Sequence, residues 1–283
     1  MTPSRSGYYG HMQVRAISWN LFHGRDKPPD PALFTWPARL LRGAPRNATH
    51  VQVNRDLLRE FTSLIAGAEW DVALLQEAPP RFAAPLADAC DAGAHRVLTS
   101  RNSLGTLRAA AARLNPDLIA SGEGGSNLTL VRRGEATGSI VEQRELTIRS
   151  GRPERRAMAF TRTASEICIA NLHTTNDRPD LASDELRLAA RTATEWAGGS
   201  PLIFGGDLNL RPREYPEPFA ELREQFALER PTSPRSIDHL LVRGLEIVEP
   251  PRAWPPEARE LDEDGLALRL SDHAPVEALF AAP

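Results

Sequence analysis

Two short apolar runs, Val14 to Trp19 and Asp71 to Gln76, are rich in β-formers and too short for helices, so both read as buried strands. Each ends on a polar residue, Asn20 and Glu77. Between them, VNRDLLREFTSLIAGA sets Leu57, Leu58, Phe61, Leu64 and Ile65 at helical spacing and stops near Gly67, giving a strand-helix-strand unit. Further on, SNLTLVRR, SIVEQRELTI, RRAMAFTRT and EICIANLH read as successive strands with Gly134, Gly138 and Gly151 in turns; with no helix between them, they are expected to pair antiparallel. SDELRLAARTATEWAGG then gathers Leu186, Ala189, Ala190, Ala193, Trp196 and Ala197 on one helical face, and the buried strand PLIFGGD follows. Near the end, SIDHLLVRG and DHAPVEALF each join a polar cluster to a strand, with EPPRAWPPEARE read as a proline-rich connection.

Two stretches break this pattern. Residues 23–50 are rich in proline and glycine and read as a long loop, either a lid or a solvated insertion. Residues 101–120 read as a second insertion with a short helix from Leu107 to Leu114, ended before Pro116. No fixed-period repeat is present. Mixed strands with helices between some of them predict an α/β or α+β sandwich in one domain over residues 13–283, preceded by a tail over 1–12.

Composition adds exclusions. With 41% hydrophobic and 25% charged residues the chain can bury a core, and no apolar run is long enough to span a bilayer. The start carries no basic-then-apolar signal pattern, so the expected location is cytoplasmic. Cys90 and Cys168 sit among apolar residues and are expected to be buried and free. A net charge of −3 gives no bulk attraction for nucleic acid, and Lys27 is the only lysine. The arginines at 144, 149, 152, 155, 156 and 162 are therefore read as a solvated face rather than a polyanion-binding arm. His11, His23, His50, His95 and His239 are read as surface or locally hydrogen-bonded.

The candidate chemistry is positional. Asn20, Glu77, His173, Asp207, Asn209, Asp238, Asp272 and His273 all lie at or beside the ends of expected strands. Converged on one edge, they supply four carboxylates, two carboxamides and two imidazoles. That donor set favours a hard cation, Mg²⁺ or Mn²⁺, over zinc. Such a site suits phosphoryl hydrolysis, with histidines placed to donate to phosphate or move protons.

The segments SWN, DVALLQE, NLHT, GGDLN, SIDHLL and SDHAPV, in this order, resemble the endonuclease/exonuclease/phosphatase superfamily across nearly the whole chain. The resemblance implies a four-layer α/β sandwich: two packed mixed β-sheets flanked by helices. It implies that Glu77 is the principal metal ligand, with Asn20 and Asp272 contributing directly or through water. Asp207 and Asn209 would orient or deprotonate the attacking water and hold a phosphate oxygen. His273, oriented by Asp238, would contact the scissile phosphate, and His173 would be a second phosphate stabiliser or general acid. Asn127 matches a polar position of many members. The chain lacks the Tyr-Pro-Asn segment of abasic-site endonucleases and the PAWCDR segment of inositol 5-phosphatases. The expected partner is a phosphate-ester substrate, with nucleic acid one candidate and no obligate protein partner; a phosphodiester is preferred, a phosphomonoester is the alternative, and a silent binding domain is disfavoured because every motif position is filled.

Overall fold

The computed structural model describes residues 12–99, 105–151 and 154–282; residues 1–11 of the expected tail, with His11, the start of the second insertion and Arg152 lie outside them. The strand-helix-strand unit forms as expected: β1 (Gln13–Asn20) and β2 (Val72–Ala78) pair in parallel through the crossover helix α2 (Leu58–Gly67). A second parallel unit joins β7 (Cys168–His173) to β8 (Leu202–Asp207) through α6 (Pro179–Ala197). Parallel neighbours need such crossovers, and each crossover covers one outer face of its sheet.

Antiparallel strands extend both units. The first sheet has six strands: β10 (Glu246–Ala253), β13 (Val276–Ala281), β1, β2, β4 (Ser126–Arg132) and β3 (Ala92–Leu98), in that order. The second has five: β5 (Ile140–Arg149), β6 (Arg156–Thr163), β7, β8 and β9 (Asp238–Arg243). β5, β6 and β7 pair antiparallel as their helix-free order predicted, but β4, expected in the same run, pairs with β2 and β3 in the first sheet instead. Between the sheets lies an apolar core including Val14, Val72, Leu74, Ile169, Ile203, Leu240 and Phe280. Trp19, Phe61 and Ile65 pack α2 on the first sheet's outer face, and Leu186, Ala189 and Ala193 pack α6 on the second's. The result is the expected four-layer sandwich. Cys90 and Cys168 are buried and free. Among the described residues, no helix is long and apolar enough to cross a membrane.

The proline-rich connection is corrected: Glu246–Ala253 forms strand β10 despite Pro250 and Pro251. It lies at the sheet's edge, where a missing N–H leaves no neighbour unpaired, and its register with β13 is broken by bulges. β3 and α7 (Pro216–Phe226) also form where no element was read.

The two glycines of FGGD have a packing cause. A Cβ on Gly206 (φ +134°) would lie 1.9 Å from the Leu172 carbonyl oxygen, and one on Gly205 would lie 2.2 Å from that of His239. Gly206→Ala is therefore expected to destabilise the fold by about 4 kcal/mol or more, read from urea unfolding midpoints.

The loop over residues 23–50 is structured, with α1 (Trp36–Leu41) inside it and a bridge from Asp26 to Leu270. Asp26 is fully buried; its Oδ2 accepts from the Val53 N–H at 3.1 Å, and its Oδ1 has no partner. Burial, reinforced by Asp117, pushes its pKa up to about 8. Between about pH 4 and pH 8 the unfolded chain loses this proton while the folded chain keeps it, so stability falls as pH rises through that window. Asp26→Asn is expected to stabilise the protein at pH 8 and to make no difference near pH 4, as measured by Tm against pH.

Candidate active site

Both parallel pairs end at one edge of the sandwich. Asn20 and Glu77 sit at the ends of β1 and β2, and His173 and Asp207 face each other in register at the ends of β7 and β8. Strands running the other way deliver the residues at their starts: Asp238 opens β9 opposite Asp207, and Asp272-His273 precede β13. Glu77, His173, Asp207, Asn209, Asp272 and His273 line a cleft of about 430 Å³ at this edge.

Local backbone distortion aims several of these side chains. Along β2, Leu75 pairs with Leu128 but Ala78 with Ser126, so one extra residue bulges out and Glu77 takes φ 46°. Such a bulge turns a side chain out of the strand's alternation. Asn209 (φ 49°) and Ser271 (φ 60°) are left-handed as well, and strain of this kind concentrates at functional sites. Ser271 is locked by donating to the Asn20 carbonyl at 2.6 Å and accepting from the His273 N–H at 3.1 Å. The Trp19 indole and the Arg259 guanidinium both donate to the His273 carbonyl, fixing the loop that carries Asp272 and His273.

Asp207 is the hub. Its Oδ2 accepts from Asn20 Nδ2 at 2.9 Å and lies 3.4 Å from His173 Nε2 and 3.8 Å from His273 Nε2. Burial, with the Asp238 charge added, pushes its pKa up to about 7. Both Asp238 oxygens face His273 Nδ1, at 2.9 and 3.1 Å. Burial alone would lower the His273 pKa, but Asp238, Asp207 and Asp272 outweigh it and raise it to about 10, so this ring is an imidazolium at neutral pH. His173 is the opposite case: burial and the Arg156 charge drive its pKa well below the ordinary value. Arg156 Nη1 lies 3.3 Å from His173 Nδ1. A guanidinium only donates, so Nδ1 is the acceptor and the ring proton sits on Nε2, facing Asp207. Asn209 donates from Nδ2 to the Thr174 carbonyl at 3.0 Å and from its backbone N–H to Asp207 at 3.2 Å.

At the Glu77 end, burial would raise the carboxyl. The rings of His23, His173 and His273 and the Asn20 amide overcome it and hold the pKa down at about 2. An ionised carboxylate beside the Asp272 carboxylate and a carboxamide fits a hard divalent cation. Asp207, Asp238 and His273 also offer ligand atoms within 4.8 Å of one another. There both Asp238 oxygens are turned to His273 Nδ1.

Two readings of the sequence are corrected here. His23, taken as surface or locally bonded, lies in the site with Nε2 3.1 Å from Glu77 Oε2. Arg156, taken as part of a solvated face, is only 6% exposed and lines the cleft. Its position opening β6 beside His173 was hidden in a chain that uses arginine for nearly every cation. Asn127 is buried and donates to the Ala157 carbonyl at 2.7 Å. His95 and His239 are buried with hydrogen-bond partners, as locally bonded histidines should be.

No curated protein matches the chain by sequence. Solved structures share its fold: an endonuclease/exonuclease/phosphatase family protein of Bacteroides thetaiotaomicron has a TM-score of 0.62 at 14% identity, covering 97% of this chain and 100% of that one. The mannosyl-6-phosphatase of Bacteroides thetaiotaomicron has a TM-score of 0.58 at 14% identity (95% and 99% covered). Truncated Caenorhabditis elegans TDP2 has a TM-score of 0.55 at 12% identity (95% and 98% covered). At these identities the likeness is one of fold. The model of the Endonuclease/Exonuclease/phosphatase family, whose members are phosphoester hydrolases, matches residues 17–273, and the chain belongs to that family.

Proposed function

We propose that this protein is a divalent-metal-dependent hydrolase of phosphodiesters. The observation that carries the reading is the pairing, in one cleft, of an ionised Glu77 with the Asp207-His273-Asp238 relay. Glu77, with Asn20 and Asp272, would hold Mg²⁺ or Mn²⁺, which supplies Lewis-acid stabilisation of charge on a phosphate oxygen. Asp207, near neutrality in pKa, orients the attacking water and takes its proton. His273, held by Asp238, points an Nε2–H at the phosphate and can protonate the leaving oxygen. His173 is neutral with its proton on Nε2, which makes it a hydrogen-bond donor to phosphate rather than an acid. The second amide hydrogen of Asn209 is available to a phosphate oxygen.

Charge supports a diester. Glu77, Glu154, Asp238 and Asp272, with Asp207 only half-ionised near neutrality, face the cations Arg156 and His273, an excess of between two and three negative charges. A divalent ion reduces that excess to between zero and one. That balance tolerates a monoanionic diester better than a dianionic monoester. Arg156 favours the second reading, a phosphomonoesterase, because a buried guanidinium facing the cleft suits a terminal phosphate. The mannosyl-6-phosphatase among the fold neighbours is compatible with it.

The test compares kcat/KM for bis(p-nitrophenyl) phosphate and p-nitrophenyl phosphate with Mg²⁺ or Mn²⁺. A higher value for the diester is expected; a clear preference for the monoester would replace the first reading with the second.

A further inference from the structure

His23 reaches the site through an unusual piece of backbone. Phe22, His23 and Gly24 have φ of 49°, 54° and 73°, three left-handed residues in a row. A non-glycine residue there costs on the order of 1 kcal/mol or more. Gly24 cannot be replaced without conflict, since a Cβ on it would lie 2.7 Å from the Phe82 ring. The turn is pinned on both sides: Leu21 N–H donates to the Gln76 carbonyl and Phe22 N–H to Asn20 Oδ1, at 2.8 and 2.9 Å. The Arg25 guanidinium stacks on Phe22 at 3.8 Å. All of this holds one imidazole against Glu77, with Nε2 3.1 Å from Oε2.

Glu77 is the one polar partner of the ring among the described residues, since its other nitrogen, Nδ1, is buried without a partner. The 3.1 Å separation has a second meaning. Two ligand atoms bound about 2.1 Å from one cation at right angles lie about 3.0 Å apart.

We propose that His23 is a nitrogen ligand, beside Glu77, for the divalent cation of this cleft, and that it turns the site from Mg²⁺ toward Mn²⁺. Mg²⁺ prefers oxygen donors, whereas an imidazole in the set favours first-row transition ions. The inference rests on the metal-holding role proposed for Glu77.

Pulsed electron paramagnetic resonance on the Mn²⁺-loaded full chain tests it, together with calorimetric titration of Mn²⁺ and Mg²⁺. Wild type should show ¹⁴N coupling to the ion, kept in a His173→Gln, His273→Gln double variant and lost in His23→Gln. His23→Gln should weaken Mn²⁺ by about tenfold or more while changing Mg²⁺ much less. No nitrogen coupling in wild type, loss of the coupling in the double variant, its survival in His23→Gln, or equal weakening of both ions would overturn the inference. The first and second of these need no His23 variant and hold even if that variant misfolds. Retention of full Mn²⁺ affinity in Glu77→Gln would instead defeat the Glu77 reading itself.

Discussion

Glu77→Gln is expected to lower metal-dependent turnover by about 10³-fold or more, some 4 kcal/mol of transition-state stabilisation. The substitution keeps the side chain's shape at the β2 bulge and removes only the charge that seats the cation. Because the folded protein holds the Glu77 pKa at about 2, below its ordinary value, that charge is net favourable to the fold at neutral pH, and the metal-free variant should melt somewhat below the wild-type temperature there. The stabilisation that Mn²⁺ or Mg²⁺ gives the wild type should vanish, because an ion that no longer binds the folded state cannot shift its unfolding equilibrium. Thermal melts with and without metal, beside initial rates, separate the two effects. A variant that is folded, still stabilised by metal and fully active would remove Glu77 from the site.

Asp207→Asn is the second large effect. Asn can still accept from the Asn20 amide, though its NH2 then replaces the acceptor of the Asn209 N–H, and it cannot take a proton from water. Loss of a positioned base costs roughly 10²–10⁴-fold in kcat. His273→Gln should lose a similar amount, since Asp207 Oδ2 and His273 Nε2 stand 3.8 Å apart over the same substrate position. Combined, the two should lose far less than the product of the single effects, because residues that act as one unit are not additive. Multiplicative losses in the double variant would mean that they serve separate steps.

Why so much of the site is legible in the sequence follows from the sheet topology. A residue that ends a buried strand must lie at the sheet's edge, and both parallel units point the same way, so Asn20, Glu77, His173 and Asp207 converge whatever the loops do. Asp238 and Asp272-His273 open antiparallel strands and reach the same edge from the other direction. The Gly-Gly before Asp207 gains its meaning only from the structure, through the close approach of β7 and β9.

What escaped the sequence lacks a local signature. His23 is placed by three left-handed residues, and only the glycine at 24 hints at them. Arg156 is one arginine among many, singled out by tertiary position beside His173. The prolines of β10 argued against a strand because nothing in the sequence marks that segment as an edge. β3 is interrupted by Gly93, His95 and Arg96, so its alternation is weak, although His95 turns inward to Thr161.

The most direct measurement strips the protein with a chelator and follows cleavage of bis(p-nitrophenyl) phosphate as Mn²⁺ or Mg²⁺ is restored, with Asp207→Asn purified in parallel. The account predicts no turnover in the stripped protein, recovery that saturates with the ion, and little recovery in the variant. Full turnover after stripping, or equal turnover by Asp207→Asn, would contradict metal-dependent hydrolysis at this cleft.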